Sequence, residues 1–315
     1  MNAKNNDGSL AFNTHQTGYH VPVLFQEVIT GLTIKENGVY VDCTFGGGGH
    51  SKGILEKLGS KGRLVAFDQD ADTRNNLPDD KRVLFVPHNF KHLQRFLRLN
   101  QIAKIDGLLA DLGVSSFQFD EGTKGFSTRF DGPLDMRMDN SATLTAATIV
   151  ANYTEQQLHQ LFEQYGEVTN AKTLAKFIAD NRQLQQIHTT NQFKSFIAPV
   201  VKGNPNKYLA QVFQALRMET NDEMGALKEM LQQLPAVMQA GGRVVIITFH
   251  SIEDRMVKNF FKKGSFDEEP DNPFVQGVKE QMFRIITKKP ITASAAELKI
   301  NTRSRSAKLR IAEKL

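Results

Sequence analysis

Four short apolar runs recur between residues 39 and 113, and each is followed by a turn and a helix-like segment. They are VYVDC (39–43), RLVAFD (63–68), VLFVPH (83–88) and IDGLLADLG (105–113). SKGILEKLG, ADTRNNL and FKHLQRFLRLNQ lie between them and are short enough to be crossover helices. Strands alternating with helices at this spacing predict an α/β fold, a doubly wound parallel sheet with helices on both faces. A fifth run, GGRVVIITFHS (241–251), follows a pattern in which Met224, Leu227, Leu231, Leu234 and Met238 share one helix face and Gly241 supplies the stop. MFRIITKK (282–289) and AKLRIAEK (307–314) read as a closing pair of strands.

About 130 residues separate Asp111 from Val244, whereas a strand–helix–strand crossover needs about 30. The excess reads as helix. Thr154 and Gln157 have capping-box spacing, and Leu158, Leu161, Phe162 and Tyr165 follow on one face. FKSFIAPVV and YLAQVFQALRM carry similar stripes, best read as core. An all-helical domain, residues 125–218, is therefore expected to interrupt the sheet domain, which takes residues 20–124 and 219–315. Residues 1–19 are polar and read as a flexible arm, and the acidic segment 264–280 reads as a mobile loop.

Composition narrows the function classes. No apolar stretch approaches the roughly 20 residues of a membrane span. The single cysteine, Cys43, excludes an internal disulfide framework and a cysteine-built zinc site. A cytoplasmic protein is the simplest expectation. The net charge of +5 leans towards a polyanionic partner. Lys172, Lys176, Arg182, Lys194, Lys202, Lys207 and Arg217 gather in the insert, and Lys299, Arg303, Arg305, Lys308, Arg310 and Lys314 gather near the C-terminus. Each cluster alone reads as a solvated face; two in one chain favour phosphate contacts.

Gly46–Gly49 directly follow the first strand and precede a helix starting near Ser51. Such a turn lets a ligand approach backbone N–H groups at a positive helix end. Gly-His-Ser replaces the Gly-Lys-Ser/Thr of a P-loop, so a nucleoside triphosphate site does not fit. A dinucleotide fingerprint can be forced onto GGGGHSKG (46–53), but a glycine run fits many registers. S-adenosylmethionine is the third ligand class, with Asp42 suited to its ammonium group. Asp68, at the end of the second strand, suits ribose hydroxyls in either cofactor class, the alternative being that Asp68 or Asp70 simply caps the next helix. Phe90 stands near an expected adenine position or in the core. The fourth strand ends Asp111-Leu-Gly-Val-Ser-Ser116, then Phe117-Gln118, placing a carboxylate and hydroxyls where ligand and chemistry meet. That suits a transferase acting on an exocyclic amine.

The chain resembles the bacterial ribosomal RNA small-subunit methyltransferase H family. The matching segments are His20-Val-Pro-Val-Leu24, Thr44-Phe-Gly-Gly-Gly-Gly-His-Ser51, Asp111-Leu-Gly-Val-Ser-Ser116, Gly125-Phe-Ser, Asp131-Gly-Pro-Leu-Asp-Met-Arg-Met-Asp139, Phe213-Gln-Ala-Leu-Arg217, the run from Gly241 to Arg255, and Ser304-Arg-Ser-Ala-Lys-Leu-Arg310. They follow the family's order across nearly the whole chain. The resemblance implies a class I S-adenosylmethionine-dependent methyltransferase, a Rossmann-like seven-stranded doubly wound sheet with the helical insert recognising substrate. It implies methylation of the N4 amine of one cytidine in 16S rRNA within the small ribosomal subunit. The cofactor contacts it implies are Gly48, Gly49, His50, Asp68, Phe90, Asp111 and Gln118. Relatives commonly have Thr-Arg-Ser where this chain has Ala210-Gln-Val, and Asn-Pro-Arg where it has Asn301-Thr-Arg. Both departures bear on RNA contact.

For catalysis, Asp111 is the candidate acceptor for the amine, with Ser115 orienting the base. No metal is expected. Methylation at cytosine C5 would need a cysteine nucleophile, and Cys43 stands on the wrong side of the cofactor loop. His50 reads as a loop cap or cofactor contact, and His250 as a structural hydrogen bond or a substrate contact. A nicotinamide-dependent oxidoreductase and a non-catalytic RNA-binding assembly factor are the alternatives. Oligomeric state is not legible; a homodimer through the insert is one arrangement.

Overall fold

The computed structural model describes residues 22–113, 124–266 and 281–315. The N-terminal arm, Ser115, Gln118 and nearly all of the acidic loop lie outside the described residues. Strands β1 Val39–Asp42, β2 Arg63–Phe67, β3 Val83–Val86, β4 Ile105–Asp111, β5 Met238–Thr248, β6 Phe283–Ile285 and β7 Lys308–Lys314 form one seven-stranded sheet, in the order β3-β2-β1-β4-β5-β7-β6. β1 to β5 are parallel, and β7 runs antiparallel between β5 and β6. The helices are α1 Phe25–Leu32, α2 Gly49–Lys57, α3 Leu93–Leu99, α4 Ala146–Asn152, α5 Glu155–Gln164, α6 Ala171–Asn181, α7 Thr190–Ile197, α8 Pro205–Thr220, α9 Glu223–Val237, α10 Ser251–Lys263 and α11 Ala295–Ile300.

The near-continuous apolar strands are explained by burial on both faces, the usual condition of parallel strands. Alternate residues divide between two cores. Val41, Val65, Leu108, Val244 and Ile246 point to the side covered by Leu227, Leu231 and Leu234 of α9 and Val257 and Phe260 of α10. Tyr40, Leu64, Leu109, Val245 and Ile247 point to the other, covered by Val28 and Leu32 of α1 and Ile54 and Leu55 of α2.

Three local expectations change. ADTRNNL forms only a 3-10 turn, Ala71–Asn76, opened by the Asp70 carboxylate accepting from Asp72 N–H at 3.1 Å. Polar side chains with no apolar stripe give a longer helix nothing to bury. The helix before the fifth strand ends at Val237, ahead of Gly241, and Met238 is buried as the first residue of β5, paired with Ile105. The run 282–289 is strand only over Phe283–Ile285.

The five helices α4 to α8 surround their own core, in which Leu158, Phe162, Leu174, Ile178, Phe193 and Val212 are buried. The expected capping box is present: Thr154 Oγ1 accepts from Gln157 N–H and the Gln157 side chain accepts from Thr154 N–H. α8 does not stop at the expected boundary of 218. Leu216 belongs to the helical core, while Met218 lies in the core under the sheet, so one rigid element joins the two.

The segment DGPLDMRMD, 131–139, is largely consumed by internal bonding. Asp135 and Arg137 pair at 2.7 Å, and Arg137 also donates to Ala142 C=O at 2.7 Å. Asn221, just past α8, accepts from Met138 N–H and donates to Met136 C=O, both at 2.8 Å. One member of the C-terminal basic cluster is internal too. Arg310 is 6% exposed and pairs with Asp254 of α10 at 2.6 and 3.0 Å. The expectation that this cluster as a whole meets phosphate is corrected for Arg310. Removing its partner by Asp254→Ala strands a buried guanidinium, and urea unfolding should show a loss of about 3–5 kcal/mol.

Candidate active site

The chain moves outward from β1 through β2 to β3, then returns to β4 on the other side of β1. A doubly wound sheet opens a crevice at the carboxyl ends of the strands where the order reverses, here β1 and β4. Asp42 closes β1 and Asp111 closes β4, so two acids flank that crevice. Two hydrogen bonds lock its walls: Cys43 N–H donates to Leu109 C=O, and Asp111 N–H donates to Thr44 Oγ1, each at 2.8 Å.

The glycine turn is shaped by the protein as much as by any ligand. Gly48 is the residue before α2 and sits in the left-handed region at φ 74°, as does Gly46 at φ 51°. Gly49 has an ordinary φ but no room: a Cβ there would lie 2.4 Å from Pro22 Cγ. Beneath the turn, Asp42 is 1% exposed, with Oδ2 accepting from Ser51 Oγ at 2.7 Å and Oδ1 from Thr44 N–H at 3.1 Å. Burial raises its pKa, against the opposing pull of these bonds and of His50. Asp42 thus braces the turn from below.

Asp68 follows β2. Its Oδ2 accepts from Gly46 N–H at 2.8 Å and its Oδ1 from Asp70 N–H at 2.9 Å. Burial pushes its pKa up to about 6, even with those two donors. Asp70, not Asp68, caps the next turn. His50 is buried and turned inward: its Nε2 meets Val23 C=O at 2.9 Å and its ring stacks on Phe25. Its Nδ1 lies 3.9 Å from Asp111 Oδ2. Phe90 is half-buried in the 3-10 turn Phe90–His92, against the core under the sheet.

Asp111 is raised to about 6, chiefly by burial and also by Asp42 and Glu253, while His50 and the Gly113 N–H pull it down. Its Oδ1 is shielded from solvent and has no hydrogen-bond partner among the described residues. A buried carboxylate oxygen without a donor is costly unless a ligand completes it. Cys43 is buried beside Met230 Sδ at 3.6 Å, and burial, with Asp42, pushes its thiol well above the ordinary value. It is no thiolate at neutral pH, so a cytosine C5 mechanism lacks its nucleophile.

The sequence left one network unseen. Arg217 at the end of α8 pairs with Glu223 of α9 at 2.8 and 3.0 Å, and His250 and Glu253 converge on the same place from the start of α10. The residues lie far apart along the chain, and only the docking of α8 and α9 onto the end of β5 unites them.

The doubly wound sheet with antiparallel β7, the glycine turn, and acids closing β1, β4 and the turn after β2 define a class I S-adenosylmethionine-dependent methyltransferase. The residues fit that cofactor, because clustered carboxylates and an orphaned acceptor oxygen suit a ligand bearing ammonium and sulfonium charges. The family model described as the MraW methylase family matches residues 17–315. A ribosomal RNA small subunit methyltransferase H from Parabacteroides distasonis is 51% identical over 299 residues, covering 94% of this chain and 98% of its own. A protein of the same name from Flavobacterium psychrophilum is 50% identical over 292 residues, covering 92% and 100%. Among solved structures, an rRNA methylase from Streptococcus thermophilus covers 92% of this chain and 94% of its own at 11% identity and a TM-score of 0.39, too distant to add to the argument. The chain belongs to the MraW methylase family. The oxidoreductase and non-catalytic alternatives fall with that membership.

Because Asp68 and Asp111 both titrate near 6, both are anionic above pH 7 and become neutral as pH falls through 6. Affinity for the cationic cofactor should therefore fall by about tenfold for each carboxylate that must be ionised, up to about 100-fold for both, between pH 7 and pH 5 in calorimetric titrations. A flat profile would assign these carboxylates to loop architecture alone.

Proposed function

We propose that this enzyme methylates the exocyclic N4 amine of a cytidine in 16S rRNA of the small ribosomal subunit. The relatives' printed name supports the substrate class. The observation that bears most on the chemistry is the unpartnered Oδ1 of Asp111 at the end of β4. When bound, S-adenosylmethionine supplies an electrophilic methyl group. The chain must hold the acceptor nitrogen in line with it and keep water away.

An exocyclic cytosine amine is a poor nucleophile, because its lone pair is conjugated with the ring. Asp111 accepts a hydrogen bond from that amine, which helps localise the lone pair, and takes up the proton released as the new bond forms. A pKa near 6 leaves the carboxylate ionised at neutral pH while keeping it basic enough to accept a proton. Ser115, outside the described residues, is assigned to orient the base. Gly48, Gly49, the backbone of His50, Asp68, Phe90 and Gln118 are assigned to the cofactor, as is the second oxygen of Asp111.

The helical insert is assigned to RNA recognition. Several of its cations have internal partners: Arg182 donates to Tyr153 C=O at 2.6 Å, Lys194 to Thr128 C=O at 2.8 Å, and Arg217 pairs with Glu223. Lys172, Lys202 and Lys207 are exposed and are the cations assigned to phosphate. A ribosomal substrate accords with a cytoplasmic location, and among the described residues no helix is long and apolar enough to cross a membrane.

The test is transfer of labelled methyl groups to small subunits lacking the modification, with nucleoside analysis of the RNA. Label is expected in N4-methylcytidine. Asp111→Asn should lower the single-turnover rate at saturating cofactor by about 100-fold, the lower range for loss of a general base. Full turnover in Asp111→Asn would remove the acceptor role while leaving the substrate assignment standing.

A further inference from the structure

We propose that His250 reads the acceptor base, its Nε2–H donating to the ring nitrogen next to the exocyclic amine while Asp111 accepts from the amine itself. The inference rests on the cytidine N4 reading and deepens it by naming the group that recognises the base.

Two orphaned atoms carry it. His250 Nε2, like Asp111 Oδ1, is shielded from solvent and has no hydrogen-bond partner among the described residues. The His250 side chain is 9% exposed. Both atoms belong to the carboxyl edge of neighbouring strands: Asp111 of β4 pairs with Ile247 of β5, and His250, separated from the end of β5 only by Phe249, is the N-cap of α10. The two strand exits are packed together, since a Cβ on Gly113 would lie 2.7 Å from the Phe249 ring. The Glu253 charge is felt at Asp111.

The bonding of the ring fixes which nitrogen holds the proton. Nδ1 accepts from Glu253 N–H at 3.4 Å, so in the neutral imidazole the proton belongs on Nε2. Glu253 Oε1 lies 3.0 Å from Nε2 without forming a hydrogen bond, while Oε2 accepts from Phe249 N–H at 2.9 Å. The imidazole is therefore held by its cap and lies against the Glu253 carboxylate, and its Nε2 makes no hydrogen bond among the described residues. Glu223, His250 and Glu253 could also suggest a cation site, since one donor atom from each lies within 4.8 Å of the others. Arg217 argues against it, because its guanidinium already takes both oxygens of Glu223.

A carboxylate acceptor beside an imidazole donor matches the cytosine edge, where the N4 amine donates and N3 accepts. Uracil presents the reverse pattern, with O4 accepting and N3–H donating, and would set like groups against each other at both positions. Reading a base by its Watson–Crick edge is how enzymes that extrude a nucleotide choose their target. Failing to pair buried polar groups is a strong means of rejection.

Asparagine and glutamine at position 250 separate base reading from helix capping. His250→Asn keeps an acceptor near the place of Nδ1 and is a good cap, but its amide stops short of Nε2. His250→Gln extends an N–H to about the place of Nε2 and gives up the cap. The readouts are kcat/KM on small subunits lacking the modification, Tm, and S-adenosylmethionine affinity. Base reading predicts that His250→Asn loses about tenfold or more in kcat/KM, with Tm and cofactor affinity unchanged, and that His250→Gln retains most activity. Normal activity in His250→Asn overturns the inference. If both variants are slow, competition by subunits with uridine at the target position decides. A relaxed preference for cytidine over uridine supports base reading, and an unchanged preference overturns it. Absence of N4-methylcytidine with the parent enzyme would instead sink the reaction assignment. Formation of that product by parent and His250→Asn alike would remove only the role of His250.

Discussion

The Asp42 carboxylate is buried, yet both oxygens are satisfied, one by Ser51 Oγ in the first turn of α2 and the other by Thr44 N–H at the start of the glycine turn. These two bonds tie the end of β1 to the turn above it. Thr44 in turn accepts from Asp111 N–H, so the end of β4 is held in the same frame. Gly46 N–H reaches to Asp68 after β2. Three strand exits therefore converge on one short loop. A carboxylate at position 42 that lost either partner would be a buried charge without compensation, and the loop and both strand ends would shift together.

That frame has an electrostatic consequence. Asp42, Asp68 and Asp111 are crowded into a poorly solvated space, and burial raises the pKa of each. Concentrated negative charge is unfavourable in the free protein and favourable against a cationic ligand. The site is built to be completed.

The insert is attached rigidly. α8 runs from the helical core into the core under the sheet, and its last turn is fixed by the Arg217–Glu223 pair. Asn221 pins the 131–139 segment to the same place through Met136 and Met138. Met138 Sδ also lies 3.1 Å from the Gln69 side chain, beside the turn after β2. The segment that α8 anchors is thus in contact with the turn after β2.

Much of the fold was legible in the chain itself. Seven apolar runs gave the strands, since their spacing and β-branched content leave few ways to bury them, and the excess length after Asp111 marked the helical insert. Helix ends were less legible. Met238 fits a helical stripe equally well as a buried strand position, and only its pairing with Ile105 decides between them. Asp68 and Asp111 stood out as candidates because strand ends in such sheets carry chemistry. His50 turned inward to Val23, and Gly49 answered to Pro22, for packing reasons that no local pattern encodes. The Arg217–Glu223–His250–Glu253 network was hidden for the same reason. Sequence determined the sheet, the glycine turn and the acids that end its strands, because those arise from short-range periodicity and backbone freedom. Tertiary structure alone decided which polar atoms are satisfied and which, like Asp111 Oδ1 and His250 Nε2, are left without a hydrogen bond among the described residues, because a hydrogen bond depends on distances between residues that the chain brings together only on folding.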